Sequence, residues 1–122
     1  MSNASLSAII KHCDTLLATA EITDYDGAVN GLQVENRGRV RRIAATVDAS
    51  LATVKLAAKA KADLLIVHHG LFWSPSHPWT GRRYELLRAL LENDIAVYSS
   101  HLPLDLHPKL GNNVQLCAAL GL

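Results

Sequence analysis

The feature that most restricts the fold is a run of four aliphatic residues, Leu64-Leu65-Ile66-Val67, which is followed directly by His68, His69 and Gly70. A short continuous apolar run is typical of a strand that is covered on both faces. Such strands belong to parallel sheets with helices above and below. The sequence therefore predicts an α/β fold in which two adjacent imidazoles stand where this strand emerges from the sheet.

Helical and extended patterns alternate along the rest of the chain. Apolar residues at three- and four-residue spacing predict an N-terminal helix over 5–17, and helices are also predicted over 50–62 and 83–93. Strands are predicted over 42–48, by period-two alternation, and over 95–99. Strands that alternate with helices imply right-handed crossovers. We therefore expect a βαβαβ core with a mainly parallel sheet, helices on both faces and the N-terminal helix preceding it.

The composition matches one globular domain. Apolar residues make up 49% of the 122 residues and charged residues 19%, which excludes a disordered or fibrous chain. The net charge of +1 gives no general attraction to nucleic acid or to an anionic membrane. We expect a single α/β domain over 1–122, large enough for a core without disulfide or metal support.

Two observations predict a cytoplasmic location. The stretch Met1–Ser5 lacks the basic start and apolar centre of a secretory signal, and no apolar run approaches the length of a membrane span. Cys13 and Cys117 each lie inside an apolar helical pattern, and neither has a second cysteine nearby. We expect both to be buried free thiols in a reducing compartment.

Two polar segments leave alternatives open. Residues 22–36 predict a loop with a short extended piece, which is either a simple linker or a loop that packs beside a site through Asn30 and Gln33. Four arginines lie between positions 37 and 42, and a basic run of this kind can hold phosphate or nucleic acid. Its place before a strand puts it at the amino end of the sheet, so we favour a solvated or oligomer-contacting patch and do not expect a nucleic-acid partner.

The loop over 70–82 contains Phe72, Trp73 and Trp79. Aromatic residues on a loop can form a lid over a pocket or a contact surface between subunits. Packing of these side chains against the domain explains the pattern equally well.

Side chains with metal-binding or acid–base chemistry follow all three predicted strands. Asp48 follows the first, His68 and His69 follow the second, and the segment 101–105 follows the third. The carboxyl ends of parallel strands meet at one edge of the sheet, where α/β proteins bind ligands. We therefore expect these side chains to converge. Pro103 argues against a helix in the last segment, which we expect to be a loop that wraps over the strand ends.

Imidazole and carboxylate groups together are ligands for zinc, iron or manganese. Adjacent residues that leave a strand diverge, so His68 and His69 are better placed to serve two ions than to chelate one. Asp105 could bridge two ions with its two oxygens, an arrangement that activates a shared water in hydrolysis. His101 could be a further ligand, an orienting residue or a general acid/base, whereas Asp48 is expected to orient a ligand or to be structural.

The standard nucleotide-binding and nucleophile motifs are absent from the sequence. It contains no G-x-x-x-x-G-K phosphate loop, no G-x-G-x-x-G after the first strand and no G-x-S-x-G elbow. The sequence therefore does not support nucleotide binding through any of these motifs.

Four parts of the chain form a recognisable set: Asn30-Gly31-Leu32-Gln33-Val34, the strand over 43–48, the run over 64–70, and the segment 100–105 with Gly111-Asn112-Asn113. Taken together, they resemble the N-terminal half of the Nif-three-like dinuclear metal-centre proteins, whose bacterial members are often catalogued as GTP cyclohydrolase I type 2 homologs. The resemblance implies that His68, His69 and Asp105 are metal ligands, that Asp105 bridges two divalent ions, and that His101 lines the site.

The resemblance also implies a function. It suggests a metal-dependent hydrolase with metal-bound water as nucleophile, His101 as proton carrier and a small-molecule substrate, a nucleotide being one candidate. Members of the family tend to form hexamers, so a homo-oligomer is expected. They are longer than this chain, and their second half supplies further ligands in an H-x-x-x-E segment that this sequence lacks. We therefore expect weak or single-ion occupancy, and a non-catalytic metal-binding or protein-interaction module remains the alternative.

Overall fold

The structure, a computed structural model, describes residues 3–72, 75 and 77–122. No described helix combines the length and the apolar character needed to cross a bilayer. In chain order the described elements are β1 (Ala4–Ser5), α1 (Leu6–Leu16), β2 (Gly31–Val34), β3 (Arg39–Val40), β4 (Ile43–Asp48), α2 (Leu51–Lys59), β5 (Leu64–His69), α3 (Arg82–Glu92), β6 (Ala96–Ser99), α4 (Leu102–Asp105) and α5 (Asn112–Leu120).

The central sheet has four strands in the order β2-β6-β5-β4. The strands β4, β5 and β6 run parallel, and β2 pairs antiparallel with β6 at the edge of the sheet. The short strands β1 and β3 form a separate antiparallel ladder. The expected α/β class with a mainly parallel sheet is confirmed. The extended piece expected in the loop over 22–36 is the edge strand β2.

Helices cover both faces of this sheet. On one face, Val54 of α2 and Leu90 of α3 pack in a cluster with Leu65 of β5. On the other face, Leu6 of α1 packs with Leu64. Successive side chains of a strand point to opposite faces, so β5 contributes to both clusters. Its buried aliphatic run is the interior strand that the sequence predicted.

The segment after β6 corrects one expectation. Residues 102–105 form the short helix α4 rather than a loop, and Pro103 lies in its first turn. A proline is tolerated there because the first N–H groups of a helix have no intrahelical acceptor and the fixed φ of proline suits a helix start. Our expectation was wrong because it applied the rule for helix interiors. His101 now caps the helix, and the N–H groups of Leu104 and Asp105 donate to its carbonyl oxygen at 3.1 and 3.0 Å.

The two cysteines differ in burial. Both thiols are free; Cys13 on α1 is half-buried, and burial together with the nearby Asp14 raises its pKa. Cys117 on α5 is exposed, so the expectation that it is buried was wrong. The reason is that α5 packs mainly against α4 and buries none of its residues in the described part of the chain.

The aromatic loop agrees with one of its two interpretations, packing against the domain, whereas the role of the arginine cluster stays a prediction. Phe72 and Trp79 pack edge to face, with ring centroids 5.9 Å apart, against the cluster beneath α2 and α3. Trp73 lies outside the described residues. The arginines between positions 37 and 42 are exposed at the amino end of β4, where Arg41 pairs with Asp63 at 3.9 Å.

Candidate metal site

Three imidazoles meet at the carboxyl edge of the sheet. His68 and His69 end β5, and His101 lies two residues beyond the end of β6. The ring centroid of His68 lies 4.7 Å from that of His69 and 4.8 Å from that of His101, and those of His69 and His101 lie 5.5 Å apart. One ligand atom from each residue lies within 4.8 Å of the others. The parallel strands thus bring these three residues together.

The rings of His68 and His69 lie side by side rather than diverging, and both are held by acceptors on neighbouring strands. Nδ1 of His68 donates to the carbonyl oxygen of Ser100 at 2.9 Å, just beyond β6. Nδ1 of His69 lies 2.7 Å from Oδ1 of Asp48 at the end of β4. The expectation of divergence failed because it considered β5 alone, without these cross-strand acceptors.

His101 is held in the same way by a residue that sequence reasoning missed. Its Nδ1 lies 3.0 Å from Oδ1 of Asp24, in the loop between α1 and β2. Carbonyl and carboxylate oxygens accept hydrogen bonds, so the proton of each neutral ring resides on Nδ1 and the lone pair on Nε2. No local pattern links position 24 to position 101, because the contact exists only after β2 joins the sheet beside β6.

The carboxylate of Asp24 is the centre of a hydrogen-bond network. Its side chain is only 4% exposed, and it accepts from Asn30 Nδ2 at 2.9 Å and from the backbone N–H groups of Tyr25 and Leu102 at 2.7 and 3.1 Å. Burial alone would raise the pKa of this carboxyl group. Hydrogen bonds from Asn30, His101 and the two backbone N–H groups outweigh burial and lower the pKa to about 2. Asp24 is therefore ionised at neutral pH and acts only as an acceptor.

The loop before β2 packs beside the site, as one of our two interpretations expected. Asn30 Oδ1 accepts from the backbone N–H of His101 at 2.7 Å. Gln33 Oε1 accepts from the N–H of Leu71 at 2.7 Å, which ties β2 to the loop after β5. Gly70 permits this contact because a Cβ there would lie 2.4 Å from Gln33 Oε1.

Asp105 stands beside His68 at the end of α4, outside the group that the three imidazoles form. Its Oδ2 lies 3.5 Å from Nε2 of His68, and its Oδ1 accepts from Asn112 Nδ2 at 2.9 Å. Gly111 makes this turn possible because a Cβ would lie 2.7 Å from the carbonyl oxygen of Asp105. The carboxylate is thus held with one oxygen toward His68.

The donor set fits a divalent first-row metal ion. Imidazole nitrogens and carboxylate oxygens are common ligands of such ions. Metal-binding histidines usually donate their second ring N–H to a carboxylate or carbonyl oxygen, because this fixes the ring and raises its basicity. Two ligand atoms at about 2.1 Å from one tetrahedral ion lie about 3.4 Å apart. The separation of 3.5 Å between His68 Nε2 and Asp105 Oδ2 is close to that value.

Fold and site together define the class of protein: an α/β chain in which histidines at the carboxyl edge of a mainly parallel sheet could hold a metal ion. The sequence profile of the Duf34/NIF3 (NGG1p interacting factor 3) family matches residues 4–122. The chain belongs to the Duf34/NIF3 family, in agreement with the resemblance that its motifs indicated.

Individual relatives agree with this assignment. The GTP cyclohydrolase 1 type 2 homolog of Pseudomonas aeruginosa is 48% identical over 118 residues, which cover 96% of this chain and 46% of the relative. Among solved structures, TTHA1606 of Thermus thermophilus superposes with a TM-score of 0.92 at 39% identity, covering 98% of this chain and 49% of that one. Reduced HcgD of Methanocaldococcus jannaschii superposes with a TM-score of 0.87 at 31% identity, covering 100% of this chain and 49% of that one. The chain thus spans about half the length of these relatives.

Proposed function

We propose that the chain binds a divalent metal ion through Nε2 of His68, His69 and His101, with Asp105 as a carboxylate ligand. One observation carries this proposal: Nδ1 of each ring lies within hydrogen-bond distance of an oxygen acceptor, which leaves the lone pair on Nε2. The side chains of His68 and His101 are 15% and 13% exposed, whereas that of His69 is 45% exposed. A substrate would therefore approach from the side of His69.

The donor set of three imidazoles and one carboxylate suits zinc, iron or manganese. Asp105 offers Oδ2 on the side of His68, while Oδ1 already accepts from Asn112. Bridging of two ions through both carboxylate oxygens would require Oδ1 to serve both Asn112 and an ion. We propose one well-held ion in this chain and a second only where further ligands are supplied.

The metal content of purified protein tests this site. Protein prepared without chelator and analysed by elemental mass spectrometry is expected to contain close to one equivalent of metal. The variant His68→Ala/His69→Ala is expected to lose it, because two of the ligands are removed. His12→Ala is the matched control, since His12 is exposed on α1 and lies outside the cluster. Equal metal in the double variant and the parent would remove the pair from the site.

We further propose that the site hydrolyses a small molecule. A divalent ion supplies a Lewis acid that lowers the pKa of water and stabilises negative charge as it develops. The relatives named GTP cyclohydrolase 1 type 2 homolog make nucleotides the first substrate class to assay. The chain's own contribution is orientation: Asp24 fixes the ring of His101, and Asp48 fixes the ring of His69.

His101 has two possible roles that one variant separates. From sequence we expected it to carry a proton; its place among the other imidazoles favours a ligand role. In His101→Ala, loss of both metal and turnover assigns it as a ligand. Loss of turnover with unchanged metal assigns it as the proton carrier. Unchanged turnover and unchanged metal would exclude both roles.

The alternative function is metal binding without catalysis. The chain covers only about half of each relative. Residues in the other half can contribute to the activity of a relative, so metal binding without catalysis needs a test of its own. Metal-loaded chain that hydrolyses none of the common nucleotides, while retaining about one equivalent of metal, would support the non-catalytic function over the hydrolase.

A further inference from the structure

A cavity lies between the starts of α2 and α3, apart from the histidine cluster. Its volume is about 430 Å³, within the range of small-molecule pockets. Residues Ser50, Leu51 and Ala52 at the start of α2 form one wall, and Arg82 and Arg83 at the start of α3 form the other. Because α2 follows β4 directly, this cavity opens near the same edge of the sheet as the metal site.

Three of the seven described residues that line the cavity are cationic, and the others are apolar or neutral. Lys55, Arg82 and Arg83 contribute three positive charges, and no acidic side chain is among the residues that line it. None of these three cations forms an ion pair with any described residue. Like charges gathered in a concave site repel one another, and an anion in the cavity would offset that repulsion.

Two helix starts add backbone donors to these charges. The first N–H groups of a helix have no intrahelical acceptor and carry the positive end of the helix dipole. The hydroxyl of Ser50 accepts from the N–H of Thr53, so it does not cap Leu51 or Ala52. At the start of α3, the N–H groups of Arg83 and Tyr84 donate to the carbonyl oxygen of Thr80, and no side chain caps the N–H of Arg82. Helix starts of this kind are common binding sites for phosphate groups.

Arg83 is held against the wall of the cavity. Its guanidinium lies over the ring of Trp79, 4.7 Å from the centroid, which restricts its orientation. Its Nε is buried and has no hydrogen-bond acceptor among the described residues, so a ligand in the cavity would have to bind the terminal nitrogens of the guanidinium. A guanidinium fixed in this way loses little conformational freedom when it binds an anion.

We propose that this cavity binds the phosphate group of a small molecule. The proposal requires no metal ion and stands or falls separately from the metal site. Arginine is suited to this role because its planar fork of donors matches the oxygens of phosphate. Lysine adds a point charge, as it does in other phosphate sites.

Calorimetric titration with inorganic phosphate and with ribose 5-phosphate, at low ionic strength, tests the proposal. Saturable binding of either probe is expected, with and without prior chelation of metal. The tighter of the two probes identifies free phosphate or a phosphate ester as the ligand. Binding that disappears on chelation would place the phosphate at the metal instead and would overturn the proposal.

Matched variants locate the binding. Lys55→Ala and Arg82→Ala are each expected to weaken binding by about tenfold, the effect of one lost charge-assisted hydrogen bond. Lys59→Ala, one turn further along α2, and Arg88→Ala on α3 are the controls and should change it less than about twofold. Arg83→Lys keeps the charge but removes the planar fork of donors, and is also expected to weaken binding. No saturable binding by the parent, or equal weakening in the controls, would contradict the assignment.

Discussion

Among single residues, Asp24 illustrates how a buried carboxylate can organise a site without touching a ligand. It joins the loop between α1 and β2 to His101 and to the first turn of α4. The lowered pKa of Asp24 means that its ionisation stabilises the folded protein, because the folded protein prefers the ionised form more strongly than the unfolded chain does. Removal of this charge therefore affects both folding and the histidine that the charge holds.

Asp24→Asn is expected to destabilise the protein by about 2 kcal/mol at neutral pH. The pKa is about 2 in the folded protein and 3.8 for an ordinary aspartate. The stabilisation is therefore fully present above about pH 4 and is lost as the pH falls through about 2. Urea unfolding of metal-free protein at pH 7, 4 and 3 measures the difference between variant and parent, which should shrink toward low pH.

Asp26→Asn is the control for this change, since Asp26 lies two residues further along the same loop and is exposed. It should alter the free energy of unfolding by less than about 0.5 kcal/mol. A difference for Asp24→Asn that is the same at pH 3 as at pH 7 would show that the charge is not responsible.

Gly111 is required for steric reasons rather than for a special backbone conformation. A Cβ would lie 2.6 Å from the carbonyl oxygen of His107 and 2.7 Å from that of Asp105. These are backbone atoms, so they cannot move aside cheaply. Gly111→Ala is expected to cost more than about 2 kcal/mol of stability and to weaken metal binding, because the end of α4 must shift.

Thermal unfolding and metal titration measure these two effects. Leu110→Ala, at an exposed neighbouring position, is the control and should leave both nearly unchanged. A Gly111→Ala variant that binds metal as tightly as the parent would mean that Asp105 is not a ligand or that the turn absorbs the methyl group.

At the scale of secondary-structure elements, α1 is fastened to the sheet by a polar contact within an apolar interface. Tyr98 of β6 is 1% exposed, and its hydroxyl donates to Asp14 Oδ1 of α1 at 2.9 Å and contacts Thr19 Oγ1 at 3.2 Å. Burial raises the pKa of Tyr98, and the Asp14 carboxylate raises it further. The hydroxyl therefore keeps its proton and remains a donor at physiological pH.

Tyr98→Phe is expected to lower the free energy of unfolding by about 1 to 2 kcal/mol, because Asp14 loses a hydrogen bond to its charged group while the ring packing is kept. Chemical denaturation measures the loss. Tyr84→Phe on the exposed side of α3 is the control and should have no measurable effect. A neutral Tyr98→Phe would show that water replaces the hydroxyl at Asp14.

The elements show which parts of the fold the sequence could predict. Periodicity located α1, α2, α3 and the parallel strands but not the short helix α4, and strand direction was sufficient to bring His68, His69 and His101 together. The position of β2 in the sheet was difficult to predict, because its antiparallel pairing with β6 depends on tertiary contacts and leaves little local signal in the sequence. The contact of Asp24 with His101 was not predictable for the same reason, since it spans 77 residues.

At the scale of the whole molecule, stability is distributed unevenly. The strands β5 and β6 lie in the interior of the sheet, and all four residues of β6 are buried. In contrast, α5 buries none of its residues, and Leu116 and Leu120 are 61% and 66% exposed. Elements with few buried apolar contacts open with the least free energy. Among the described helices, α5 is thus the one with the least buried support.

Amide hydrogen exchange is expected to reveal this difference. The amides of α5 should exchange at least about a hundredfold faster than those of β5 and β6, because α5 can open without disrupting the sheet. Mass spectrometry of peptic fragments measures the rates. Equal protection of α5 and β6 would mean that another surface, such as that of a second copy, covers the helix in solution.

The acceptors of the three imidazoles also differ in how easily mutation can remove them. His69 and His101 depend on the carboxylates of Asp48 and Asp24, and a single codon change eliminates either one. His68 depends on the main-chain carbonyl of Ser100, which every amino acid possesses, and the buried hydroxyl of Ser100 itself has no hydrogen-bond partner among the described residues. Random mutagenesis should therefore tolerate small replacements such as alanine at position 100, while positions 24 and 48 remain nearly invariant among functional clones.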